Sequence, residues 1–255
     1  MDGITFLIRC RNEQATLEAS IRSLQAITVP HEIVVILHRC TDRSRAICET
    51  IAAAATQPVR ILEYEHPVSR AGYETLATDI SSNHSFITYC NWCQKQAGYK
   101  WVFKWDADFL MTSALADYIN TEALWSQSNI RIRMGAKNAT HTEMGDYLCS
   151  SIVHYTKHVF WEVPYHMVRR TITLEPPIFI EHASNLTEMK SYWTEDPWYV
   201  TECSEEAAIV KRRIEQLTAE FGPAPPGLAR SCNPECRPFY SAVVARKPPY
   251  VNISD

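Results

Sequence analysis

The chain has 255 residues, 46% of them hydrophobic and 21% charged, which is enough apolar content to bury a full core and rules out a disordered or fibrous class. Its formal charge is -4 and its 25 Lys and Arg are spread through the chain, so no long basic stripe is expected and nucleic acid is not an expected partner.

The apolar run Ile4 to Ile8, rich in β-branched residues, predicts a first strand, and it is far too short for a signal-peptide core or a membrane span. No other segment reaches spanning length, so no transmembrane segment is expected. Leu17, Ile21, Leu24 and Ile27 then recur at helical spacing until Pro30 stops the pattern. Ile33 to Leu37 repeats the strand signal, Thr41 or Asp42 can cap a second helix, and Ile47, Ile51 and Ala54 mark that helix's apolar face. A third strand is predicted over Val59 to Tyr64. Three apolar strands separated by helices require crossover connections, which predicts an α/β chain with a parallel sheet covered on both faces.

Phe86, Cys90, Cys93 and Ala97 share one helical stripe with Gly98 at its end, and Trp101 to Trp105 forms a fourth strand running straight into Asp106. Another helix is predicted from Ser113 to about Trp125. Beyond it the pattern breaks into strand-like pieces at 130–134, 148–155, 159–163, 171–174 and 178–180, a smaller and more antiparallel portion. Val210, Ile214, Leu217 and Phe221 make one more amphipathic helix, ended by Gly222 and the Pro-rich stretch after it, and 223–255 reads as a coiled tail.

Nine cysteines without framework spacing imply reduced thiols and a cytoplasmic setting. Cys90 and Cys93 have the spacing of a redox pair or half a zinc site, with Cys232 and Cys236 as a possible second half, but both lie on an apolar stripe and read as buried structural thiols. The nine histidines show no zinc-ligand spacing.

The chemistry is concentrated in Trp105-Asp106-Ala107-Asp108. Two carboxylates one residue apart at a strand end can converge on one hard cation such as Mg or Mn, which can bridge phosphate oxygens of a diphosphate. On spacing alone such a pair more commonly serves the start of a helix after it. Its address favours the ligand role: it closes the fourth strand of an α/β series, at the sheet edge where ligands bind, and Lys104 beside it suits a phosphate neighbour.

Arg11-Asn12-Glu13 after the first strand, Cys40-Thr41-Asp42-Arg43-Ser44 after the second and Asp106-Ala107-Asp108 after the fourth together resemble the inverting family 2 glycosyltransferases of the GT-A fold. The resemblance covers about the first 110 residues and lies in order and spacing more than in any single motif. It implies a single GT-A-like domain: 1–110 binding nucleotide and metal, 111–222 shaping the acceptor site, 223–255 a tail. It also implies transfer of a hexose from a nucleoside diphosphate sugar to a hydroxyl of a glycan or similar acceptor, with Mn or Mg. Asp106 and Asp108 match the family's metal and ribose contacts. Arg11, Asn12 and Glu13 would lie near base or ribose, Arg43 and Arg70 near the nucleotide or its phosphates, and His182 could close the metal shell, although a lone His after a strand is more often structural. Asp196, or Glu195 beside it, matches the general base in the second half, flanked by Tyr192, Trp193 and Trp198; the same Asp196-Pro197 could simply make a turn. One departure stands out: Leu37-His38-Arg39 replaces the acidic pair the family often has after its second strand, leaving the base open. That departure admits a GT-A-like module that binds without turnover. A nucleotidyltransferase is the other alternative, though it typically needs a Gly-rich loop where this chain has Arg9 to Glu13.

Overall fold

A computed structural model of the chain describes residues 3–69, 73–79, 81–121, 129–135, 148–154, 172–182 and 204–223. The described residues fall into two compact units, one within Met1–Glu65, Cys93–His158 and Met167–Met189, the other within His66–Trp92, Val159–His166 and Lys190–Asp255.

The first unit holds eight described strands: β1 (Ile4–Cys10), β2 (His31–His38), β3 (Val59–Tyr64), β4 (Trp101–Asp106), β5 (Phe109–Met111), β6 (Asn129–Gly135), β7 (Leu148–His154) and β8 (Ile172–His182). They form one sheet in the order β3-β2-β1-β4-β7-β6-β8-β5. As the crossover argument predicts, β1 pairs in parallel with β2 and β4, and β2 with β3. β4 with β7, β6 with β7 and β5 with β8 are antiparallel, while β6 and β8 run parallel.

Near-continuous burial along β1 and β2 is what parallel strands covered on both faces require. Phe6, Phe103, Trp105 and Phe109 are fully buried, and the three phenylalanines meet Trp105 edge to face, Phe103 at 5.1 Å and Phe109 at 5.6 Å between ring centroids. Helix α1 (Leu17–Ser23) seals this core with Leu17 and Ile21. The predicted helical run continues beyond it only as a 3₁₀ turn, Leu24–Ala26, before Ile27 turns extended ahead of Pro30.

Helix α2 (Ser44–Ala54) comes after β2. Its N-cap is Arg43 rather than Thr41 or Asp42, yet Asp42 Oδ1 still accepts the Ser44 amide at 2.9 Å, so the acidic residue serves the helix start from one position further out. Helices α3 (Tyr73–Ala77) and α4 (Phe86–Lys95) lie between β3 and β4. The latter stops two residues short of Ala97, its last turn closing through Gln96 to Cys93 and Ala97 to Gln94 bonds, with Cys90 and Cys93 buried as the stripe predicts. Helix α5 (Ser113–Asn120) is capped by Thr112, whose hydroxyl accepts from the Leu115 amide at 3.3 Å; it ends at Thr121, before the expected Trp125.

Two strand pieces predicted at 171–174 and 178–180 are one strand, β8, running through Pro176 and Pro177. Its pairing with β6 jumps there, from Ile132 opposite Leu174 to Arg133 opposite Phe179. Prolines have no N–H to give a ladder, so the sheet accommodates them as an irregularity, which a periodicity reading takes for a gap. The piece expected at 159–163 lies outside the described residues.

In the second unit, α6 (Ser204–Phe221) ends at Gly222, whose φ of 79° is the left-handed conformation that glycine supplies at a helix terminus. Its carbonyl accepts the Tyr73 hydroxyl at 2.7 Å, and Arg213 donates to the Ala77 carbonyl at 2.9 Å, fastening α6 to α3.

Candidate functional site

Strand order reverses between β1 and β4: the chain builds outward from β1 to β3, then returns to place β4 on the other side of β1. In an open α/β sheet the loops at the carboxyl ends of such strands enclose the ligand crevice. Here those loops carry Arg11-Asn12-Glu13 and Asp106-Ala107-Asp108, with the β2 loop beside them.

The β1 and β2 loops are sewn together. Asn12, with a φ of 55°, accepts the Thr41 amide on its side-chain oxygen at 2.7 Å and donates its own amide to Cys40 Sγ at 3.5 Å. The Glu13 amide donates to Ser44 Oγ at 3.0 Å, the Gln14 amide to Asp42 Oδ2 at 2.9 Å, and the Arg43 amide to Gln14 Oε1 at 3.1 Å. Arg11 donates to the His38 carbonyl at 3.2 Å. Burial works against the Asp42 charge, but bonds from the Ser44 side chain and from the Ser44 and Gln14 amides outweigh it and hold the carboxyl below the usual range. Asn12 and Asp42 therefore shape the rim with the very oxygens that could otherwise face a ligand.

Asp106 is the last residue of β4, and Asp108 sits in the turn before β5. Helix α1 fixes this turn. Ser20 Oγ accepts the Trp105 indole N–H at 2.9 Å and donates to the Asp106 carbonyl at 3.3 Å, while Ser23 Oγ accepts the Met111 amide at 3.1 Å. The two serines hold β4 and β5 against one helix, so the acidic turn has a braced backbone under partly exposed side chains.

Glu13 registers the convergence. Burial, then the negative charges of Asp108 and Asp106, push its carboxyl up to about 8, against a small opposing bond from Thr16. The three carboxylates thus share one electrostatic environment although they come from different loops. Lys104 Nζ lies 3.6 Å from Asp106 Oδ2, an ion pair at this rim.

The hard oxygens of Asp106 and Asp108 suit Mg or Mn, and their charges, after burial, are what raise the neighbouring Glu13 carboxyl. Among the described residues no three His, Cys, Asp or Glu side chains are grouped to enclose a metal. Two carboxylates with further positions left to phosphate oxygens and water is the arrangement Mg favours in nucleotide sites. His182 ends β8 with its backbone opposite Phe109, next to the acidic turn. Arg43 is exposed at the start of α2. Arg70, Glu195 and Asp196 lie outside the described residues. His38, which stands where the resemblance expects acid, is buried with its ring edge-on to Tyr64 at 6.2 Å.

Sequence reasoning missed the two serines of α1 and a thiol pair. Cys10 closes β1 and Cys40 lies just beyond β2, with their sulfurs 4.0 Å apart. The hydrogen bond from Cys10 leads the effects that bring Cys40 down to about 7, assisted by the Asn12 amide and opposed by burial and Asp42. The same bond and burial push the Cys10 thiol upward.

No protein-family model matches the chain, and no curated protein matches it. Among solved structures, S. aureus TarS 1-349 in complex with UDP-GlcNAc is 13% identical over 96% of this chain and 80% of that one, with a TM-score of 0.55. In another structure of TarS 1-349 the match covers 71% of this chain and only 60% of that one, at a TM-score of 0.49. The mannosyltransferase PcManGT from Pyrobaculum calidifontis, in complex with GDP-Man and Mn2+, is 15% identical over 95% of this chain and 74% of that one, at 0.49. Together with the mostly parallel half-sheet, its flanking helices and its antiparallel extension, the TarS match establishes a GT-A-like α/β fold for this chain.

Proposed function

We propose that the chain is a glycosyltransferase that moves a hexose from a nucleoside diphosphate sugar to a hydroxyl of a glycan or similar acceptor, with inversion and with Mn or Mg. One observation carries this reading: Asp106 and Asp108 stand where strand order reverses and bear together on Glu13. The fold shared with TarS 1-349, seen with UDP-GlcNAc, supports a nucleotide sugar as the ligand class.

When bound, a divalent cation would neutralise charge developing on the departing diphosphate. Asp106 and Asp108 would hold it, with His182 at the end of β8 as the third candidate ligand. Lys104, 3.6 Å from Asp106, would offer its ammonium to a phosphate oxygen. By the resemblance, Arg11, Asn12 and Glu13 would line the nucleotide side, and Arg43 and Arg70 would add positive charge near the phosphates. Asp196, with Glu195 as second choice, takes the proton of the acceptor hydroxyl as it attacks from the face opposite the diphosphate. The nucleotide half is 1–110 and the acceptor half 111–222, with 223–255 as a tail.

Asp108→Ala is expected to lower metal-dependent nucleotide-sugar turnover by roughly a hundredfold or more, with its circular dichroism unchanged. Hydrolysis of a panel of nucleotide sugars, with and without Mn, measures it; unchanged turnover would remove the acidic turn from the mechanism. The buried His38 against Tyr64, in place of an acidic pair, favours a second reading as a module that binds nucleotide without turnover. Metal-dependent UDP binding with no hydrolysis or transfer across the panel would select it.

A further inference from the structure

Cys10 and Cys40 stand apart from the other described cysteines. Cys10 is 1% exposed and fixed in the last position of β1, where it pairs with Leu37. Cys40 is partly exposed in irregular backbone, directly after Arg39, a non-glycine residue with a φ of 50°. Cys40 Sγ lies 4.0 Å from Cys10 Sγ and 3.3 Å from the Cys10 carbonyl, while the Asn12 amide points at the same sulfur. A disulfide needs the sulfurs about 2 Å apart, so the pair stands roughly 2 Å short of bonding distance. Cys48 on α2 is buried and its thiol is pushed up to about 12, mainly by burial, so, like Cys10, it is not the thiol that an oxidant meets first.

We propose that Cys10 and Cys40 are a modification site, a reversible dithiol–disulfide couple that staples the β1 loop to the β2 loop when a hydroperoxide oxidises it. Cys40 combines access with a thiol held near neutrality, the combination that makes a cysteine attack. Its thiolate sulfur attacks one peroxide oxygen, the O–O bond breaks, and the hydroxide released from hydrogen peroxide takes up a proton as water, leaving a sulfenic acid on Cys40. Cys10 sulfur then attacks Cys40 sulfur, the S–O bond breaks, and the Cys10 proton leaves with the hydroxide as a second water. Two thiols lose two electrons and the peroxide gains them. A dithiol reductant reverses the bond by exchange.

Oxidation draws Cys40 toward β1 and away from the Asn12 amide, which must then reorient along with Thr41. Its effect on nucleotide rests on the donor-site reading above; the bond itself does not. The full chain, treated with equimolar hydrogen peroxide at neutral pH, alkylated and digested without reductant, should give a Cys10–Cys40 peptide pair that dithiothreitol removes. Cys48→Ser should retain the pair and Cys40→Ser should abolish it, Cys40 being the partly exposed member whose replacement spares the core. A Cys40–Cys48 link, or sulfinic Cys40 beside an alkylated Cys10, would overturn the proposal. With the disulfide formed, affinity for UDP and Mn should fall about tenfold and recover on reduction. Equal affinity in both states would overturn the coupling to the loop, whereas no UDP binding in either state would count against the donor reading and leave the couple judged on its peptides.

Discussion

Glu13 binds its proton more tightly in the fold than in the unfolded chain, its carboxyl pushed from 4.5 to about 8 by burial and by Asp108 and Asp106. A group of this kind contributes most to stability below the unfolded value and loses that contribution as pH rises through the folded one. The melting temperature of the cation-free protein should therefore fall steadily from about pH 5 to about pH 8, and Glu13→Gln should flatten that slope; calorimetry across this range measures both. The acidic turn was legible in the sequence because Asp106 and Asp108 terminate an aromatic strand whose place in the series can be counted. The protonation of Glu13 was not, since it depends on charges from a loop that joins it only in the folded sheet. Nor was the posture of Asn12: the resemblance points it at a nucleotide, while its oxygen is bonded to the Thr41 amide and hydroxyl.

Helix α1 shows how an element sets a site it does not belong to. Leu17 and Ile21 gave its buried face from their spacing, but Ser20 is equally buried, and a hydroxyl on that face does not register as core in an apolar pattern. Ser20→Ala should leave the Trp105 indole N–H buried without its acceptor and cost roughly 1–3 kcal/mol, read from urea unfolding. Because Ser20 also holds the Asp106 carbonyl, the same variant should weaken Mn affinity, which Ser20→Thr, keeping a hydroxyl, should partly restore. Strand β8 shows the opposite failure of pattern reading. Pro176 and Pro177 look like a break, yet the segment continues to His182 and so delivers its end beside the acidic turn.

Across the whole molecule, the parallel half was legible from three apolar runs and the helices between them. Adjacency of β4 to β1 was not, because strand order is decided by tertiary packing and leaves no periodic trace. The packing that decides it is visible in Phe103, which is fully buried and lies between Phe6 at 5.5 Å and Trp105 at 5.1 Å. Phe103→Ala should open a cavity at the β1–β4 junction and cost roughly 3–5 kcal/mol in denaturant unfolding. Among the described strands the sheet ends at β3 and β5. β5 has three residues, and β3 exposes Arg60 and Glu63, which pair with Glu32 and Arg45. A short rim and a charged rim are both poor templates for a neighbouring chain to extend the ladder. In concentrated solution, then, these two margins disfavour the stacking of one molecule's sheet on the next, and the fold carries its own guard against fibril growth at the strands described.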